Sequence, residues 1–298
     1  MSSIAYVADE NMLEYHRLCR NRTILFWRLS NKRKFTDFKK GDLLFFYSRP
    51  AYGRKKGLVG YAHYDSMKRL SLTQMWNRFG EATGYSDQKR LSDAIMKASK
   101  GEIPKQMSCL YLTDVVFFLT PVYAEEAGIN LPVKLESYIY LDKDDPTITV
   151  RILECAAEHG IDLWSADPAR KPDEIFYDDV LRHKLALIYR KIGVQAGSER
   201  EKTDLHKITA KLLLEEKTER IRGSVTDCIC IEKNRVVVYV PFTYRLSDRD
   251  ERVRELYGRL IMYKWLAEEE GIDRPLKLKV ISDKETDDML ELVKKFNE

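Results

Sequence analysis

Between Arg20 and Arg69 the chain carries 14 Lys and Arg against three acids (Asp37, Asp42 and Asp65), a local net charge of +11. The whole chain of 298 residues is only +4, so the remainder carries −7. Such polarity is the electrostatic footprint of polyanion binding. Several of the basic residues fall in turn-like stretches, Asn31-Lys32-Arg33-Lys34 and Arg54-Lys55-Lys56, from which long side chains can reach phosphates. Interleaved with them are the rings of Trp27, Tyr47, Tyr61, Tyr64 and Trp76. An aromatic platform offsets the cost of lifting a base out of its stack by about 1–3 kcal/mol. Ser48, His63 and Asp65 are of the right type to hydrogen-bond a base edge, and Arg28 and Arg49 to hold flanking phosphates. Each residue has a competing reading: a basic loop that only solubilises, or a ring that only fills the core. Tyrosine is less at ease fully buried than phenylalanine, which favours Tyr47 over Phe45 and Phe46 as a stacking ring.

The second half offers less. Cys228 and Cys230 share one strand face, but no further Cys or His completes a tetrahedral zinc site, so they read as buried thiols. The five histidines (His16, His63, His159, His183 and His206) show no ligand spacing, and no phosphate-binding glycine loop or nucleophile elbow occurs.

These residues need elements to hold them. Short β-rich runs at Ile24–Trp27, Leu43–Tyr47 and Gly57–Tyr64 are followed by a helix from Ser71 to Phe79, capped by Ser71 or Thr73, and a second opened by Ser86-Asp87 and running to about Ala98. A strand from Leu110 to Leu119 is expected to stop at Pro121. Helices over 148–160 and 173–192 follow the acidic Asp142–Asp145 turn. Beyond Gly197 the pattern is helix (199–217), strand (225–231), strand (235–242), helix to Glu270 closed by Gly271, strand (276–281) and a final helix, with an extra strand at 218–222. The expected organisation is a β-barrel unit with inserted helices over 1–145, a helical connector over 146–196 and an α/β domain over 197–298, an α+β and α/β two-domain protein.

The run Lys39-Lys40-Gly41-Asp42-Leu43-Leu44-Phe45-Phe46-Tyr47 followed by Gly57-Leu58-Val59-Gly60 resembles the PUA-like superfamily, EVE-type domains in particular. Trp27-Arg28, Met75-Trp76-Asn77-Arg78-Phe79-Gly80 and Gly84-Tyr85-Ser86 look like further landmarks of that family. The resemblance covers roughly residues 4 to 140 and implies a reader of modified bases, which takes a flipped base beside the barrel. Residues 199 to 298 look like the PD-(D/E)xK nuclease fold, whose chemistry sets an Asp on one strand and a carboxylate-x-Lys on the next around Mg²⁺. Asp227 fits the first position. The other two fall on Tyr239 and Pro241, and the polar position on the following helix falls on Arg259. The resemblance therefore implies a depleted site.

Hydrophobic residues at 44% suffice for a core, and no apolar run approaches the length that spans a bilayer. The opening residues lack the charged-then-apolar pattern of a secretory leader, and five cysteines make no disulfide framework, so a cytoplasmic location is expected. Together these observations predict a non-catalytic DNA- or RNA-binding protein without a cofactor or membrane association. Its predicted base- and phosphate-binding residues are Trp27, Arg28, Tyr47, Ser48, Arg49, Arg54, Lys55, Lys56, His63, Tyr64 and Trp76. The C-terminal domain is expected to contact a protein partner or a second copy. The alternative is a modification-dependent endonuclease with a rearranged Mg²⁺ site around Asp227, Glu201 and Glu215. A role on the RNA side of translation or RNA modification is a third option.

Overall fold

A computed structural model describes residues 3–29, 35–49, 55–132, 135–164, 172–195, 197–215, 217–243, 249–282 and 287–297. The chain divides into two compact units, Met1–Tyr177 and Asp178–Glu298.

The first unit is built on β1 (Ile4–Val7), β2 (Ile24–Arg28), β3 (Leu43–Ser48), β4 (Gly57–Leu70), β5 (Met107–Val122) and β6 (Tyr138–Tyr140), in the spatial order β2-β5-β4-β3-β1-β6. β1 pairs with β3 in parallel, and every other pairing is antiparallel. The long β4–β5 ladder shifts register three times, and such bulges raise twist and curl a sheet. The curl brings the ring of Tyr6 on β1 within 4.9 Å of Phe26 on β2, although three strands separate β1 from β2 in the sheet.

Among the described residues no ladder joins the ends, so the expected barrel is an open sheet closed by side chains. Both edges of β1 are already taken by β3 and β6, and β6 is only three residues long, leaving β2 without a free backbone edge to pair. A second departure is at Pro121, which does not end β5. It lies in the irregular stretch between the Gly60↔Phe117 and Leu58↔Val122 pairs, where a missing N–H costs the ladder little.

Helix α1 (Glu10–Leu18) starts at Asp9, whose carboxylate accepts from the Met12 backbone N–H at 2.9 Å. Helices α2 (Leu72–Phe79) and α3 (Gln88–Ser99) are capped by Ser71, in a reciprocal box with Gln74, and by Asp87, as the sequence predicts. Between them Gly84 adopts φ +90°, and a Cβ there would stand 2.3 Å from Met12 Cγ and 3.0 Å from His16 Nε2. Its missing side chain lets the turn close over α1. Helix α4 (Ile148–His159) packs on β5, and α5 (Pro172–Ile192) carries the chain into the second unit.

The second unit runs α6 (Glu199–Leu212), β7 (Thr218–Arg220), β8 (Cys228–Glu232), β9 (Arg235–Phe242), α7 (Arg249–Glu269), β10 (Leu276–Ser282) and α8 (Asp287–Asn297). The sheet order is β10-β9-β8-β7, with β9 and β10 parallel and the rest antiparallel. From Val236 to Phe242 every residue of β9 is buried, the run expected of a strand covered on both faces.

Candidate functional site

Where the curled sheet of the first unit meets itself, the seam between β1 and β2 opens into a cavity of about 690 Å³. Tyr6, Val7, Asp9 and Met12 line it from one side, Phe26, Trp27, Arg28 and Leu29 from the other, and Pro132, Leu135, Glu136 and Ser137 from the segment before β6. Strand alternation puts Phe26 with Tyr6 in one core cluster and Trp27 against the other, formed by Leu25, Leu70, Met75, Leu91 and Ile95. Because β2 is the end strand, side chains of both its faces border the gap.

Arg28 is 6% exposed, and its guanidinium carbon lies 4.7 Å from the Phe35 ring centre, 5.4 Å from Tyr6 and 5.7 Å from Tyr138. Three rings thus hold one buried cation by cation–π attraction. Tyr6 and Tyr138 are themselves stacked at 5.7 Å, and Ser137 Oγ donates to the Tyr6 hydroxyl at 3.4 Å. The Trp27 indole Nε1–H is shielded from solvent with no acceptor among the described residues. A buried donor left unpaired costs roughly 1–3 kcal/mol. The arrangement suits a flat, polar-edged ring: aromatic walls, a cation, and the Asp9 and Glu136 carboxylates.

Of the residues predicted from sequence, this cavity brings together Trp27 and Arg28. Tyr47 is half-buried elsewhere on β3, with Lys56 Nζ 5.8 Å from its ring; burial, then Glu125, raises its phenol pKa. Lys55 pairs with Glu125 at 2.7 Å, and Arg49 is exposed. The Ser48 hydroxyl is buried and donates to the Ala8 carbonyl at 3.0 Å. His63 Nδ1 lies 3.7 Å from Asp114, and the Tyr64 ring packs 4.8 Å from Phe38. Trp76 packs against the same cluster as Trp27 without lining the cavity. Arg54 and the Asn31–Lys34 run lie outside the described residues. Part of the basic excess is neutralised from outside the stretch, since Glu125 pairs with Lys55. Sequence reasoning missed Tyr6, Asp9, Phe35, Ser137 and Tyr138. The one local signal among them was Asp9 three residues before Met12, a helix-start pattern.

In the second unit Asp227 is fully buried, and its Oδ2 accepts from Arg259 Nε (3.0 Å), Arg259 Nη2 (2.8 Å) and the Tyr263 hydroxyl (2.7 Å). Thr226 Oγ1 donates to the other oxygen at 2.9 Å. Burial first, and the Asp227 carboxylate next, push the Tyr263 phenol well above its ordinary range. A guanidinium thus stands where a divalent ion would have to sit. The two upstream acids do not help. Glu201 accepts from the Ser198 backbone N–H in the N-terminal box of α6 and meets Arg252, while Glu215 lies beyond the opposite, C-terminal end of that helix. These residues do not fit Mg²⁺, and no group of three His, Cys, Asp or Glu among the described residues is placed to hold a metal. Cys228 and Cys230 are buried, the former's pKa pushed up to about 11 by burial. Among the described residues no helix is long and apolar enough to cross a membrane.

No family model matches the chain, and no curated protein does. Among solved structures it is similar to ASCH from Zymomonas mobilis, at 13% identity over 50% of this chain and 93% of that one, with a TM-score of 0.36. Two variants of that protein match alike: a tyrosine-to-phenylalanine form at 13% identity (50% and 97% coverage, TM-score 0.36) and a serine-to-alanine form at 12% (51% and 95%, 0.35).

Proposed function

We propose that the protein binds nucleic acid without cutting it and takes one unstacked base into the seam between β1 and β2. The reading rests on the cavity itself, where Trp27, Phe26 and Tyr6 stand around a volume of about 690 Å³ beside the ring-held Arg28. The cationic stretch from Arg20 to Arg69 supplies the attraction for the phosphate backbone. The resemblance of the first half to EVE-type PUA-like domains supports a modified base as the preferred occupant.

The element order of the second unit is the one that carried its resemblance to a nuclease fold. With Arg259 on Asp227, that unit serves this function as a scaffold rather than a hydrolase.

The test is fluorescence anisotropy with labelled single- and double-stranded DNA and RNA, unmodified and base-methylated, across a salt series. Binding to single strands should weaken with salt at a slope near −0.7 per phosphate neutralised. Absence of salt-dependent binding to all of these probes would overturn the proposal. A preference between the DNA and RNA arms identifies the natural polymer.

A further inference from the structure

Helix α7 has two unlike faces. Leu256, Leu260, Tyr263, Leu266 and Ala267 are buried against the second unit, whereas Tyr257, Ile261 and Trp265 are exposed at 37%, 53% and 58%, Tyr257 with one side of its ring against Phe296 of α8 at 6.2 Å. Their spacing of four residues lines them up in one apolar stripe along the outer side. Charged side chains are what a solvated helix face ordinarily shows, so three large apolar groups in a row ask for a cover.

Two further features of the stripe say what covers it. Arg254 and Glu268 are exposed, lie on the same face at one end each, and make no ion pair among the described residues. Each is seven residues, about 10 Å along the axis, from Ile261. Gly258 is also exposed on this face, and a Cβ there would meet nothing within 4 Å, so the chain's own fold does not demand glycine. Glycine inside a helix costs about 1 kcal/mol relative to alanine, and its bare backbone leaves room for another backbone to approach closely.

We infer that the outer face of α7 is the interface of a symmetric dimer of this chain, two α7 helices crossing antiparallel at Ile261. A two-fold axis through Ile261 sets Tyr257 opposite Trp265 of the second copy and Arg254 opposite its Glu268, twice over. The pattern is self-complementary in shape and charge, as an isologous contact requires. Gly258 provides the space for the two backbones to approach. This inference is independent of the cavity in the first unit, and either can fail without the other.

Sedimentation velocity on the full chain over a hundredfold concentration range is the test. The expected result is a monomer–dimer equilibrium that Ile261→Glu weakens at least tenfold. Arg254→Glu and Glu268→Arg should each weaken it several-fold, and the double charge exchange should return it to within about twofold of the original. Gly258→Leu should also weaken it while leaving the helical circular dichroism and the thermal midpoint no lower than before. A monomer at all concentrations, a dimer indifferent to Ile261→Glu, or a charge exchange that fails to rescue would each overturn the inference.

Discussion

Arg259 lies across the carboxylate of Asp227 with two nitrogens, at 3.0 and 2.8 Å, on the same oxygen, and both side chains are almost wholly buried. The pair closes a network in which Tyr263 and Thr226 supply the remaining donors and Gly193 offers its carbonyl to Arg259 Nη1 at 2.8 Å. Removing one partner strands a charge inside the unit, which typically costs 3–5 kcal/mol.

Arg259→Leu and Asp227→Asn are therefore each expected to destabilise the second unit by about 3–5 kcal/mol, and the double substitution by much less than the sum. Chemical denaturation followed by far-ultraviolet circular dichroism reads this. Millimolar Mg²⁺ or Mn²⁺ should leave the thermal midpoint of the unsubstituted protein where it is. A rise of several degrees with metal would mean that Asp227 is free to bind an ion.

Trp27 and Tyr47 carry opposite expectations. Trp27 borders the seam cavity, so Trp27→Ala should lose the stacking of one base, about 1–3 kcal/mol or roughly fivefold to 150-fold in affinity. Tyr47 lies outside the lining, and Tyr47→Ala should change affinity by less than about twofold. Anisotropy titrations with one oligonucleotide on both variants decide the matter. If Tyr47→Ala is the variant that loses binding, the base enters on the Lys55–Lys56 side instead.

How much of this was legible in the sequence depends on how far apart the cooperating residues lie. Caps such as Ser71 and Asp87 and the strands around Leu43 and Arg235 are local patterns, and the structure places them within a residue or two of expectation. Trp27-Arg28 could be singled out because type and charge coincide in two adjacent residues. The rest of the cavity could not: Ser137 meets Tyr6 across 131 residues, and Tyr138 reaches Arg28 only because the sheet curls. Tyr47 reads from sequence as a cage ring, and in the structure it stands beside Lys56 and does not line this cavity. The oddity of Arg259 was visible as a departure from the pattern the second unit resembles, and its meaning appears only when its nitrogens are seen on Asp227.

His16 makes stability depend on pH. It is fully buried on α1, and burial lowers its pKa from 6.5 to about 3, so it stays neutral in the folded chain through mildly acidic conditions. Below pH 6.5 the unfolded chain takes up a proton that the folded one refuses. Stability is therefore complete above pH 6.5 and falls toward pH 3, at a slope of up to about 1.4 kcal/mol per pH unit from this group. Between pH 6.5 and 4.5, above the range where most carboxylates titrate, His16→Gln should flatten that slope. Denaturant midpoints measured at half-unit intervals test it, and an equal slope in both proteins would assign the dependence to other groups.

The end strand β10 is capped at Leu278 by a single side chain. Asn297, near the end of α8, accepts from the Leu278 backbone N–H at 2.7 Å and donates to the Leu278 carbonyl at 2.8 Å, making with its amide the two bonds a further strand would make. A second donation, to the Val293 carbonyl at 3.0 Å, fixes that amide on its own helix. The amide thus covers an edge whose open N–H and C=O groups would otherwise template pairing with another chain. Asn297→Ala should leave both Leu278 groups without their partner and cost about 1–3 kcal/mol locally. Hydrogen exchange of the Leu278 amide should speed up by one to two orders of magnitude while the amides of β9 keep their protection, because β9 remains paired on both sides. Exchange at Leu278 unchanged by the substitution would mean that the edge is covered by something other than Asn297.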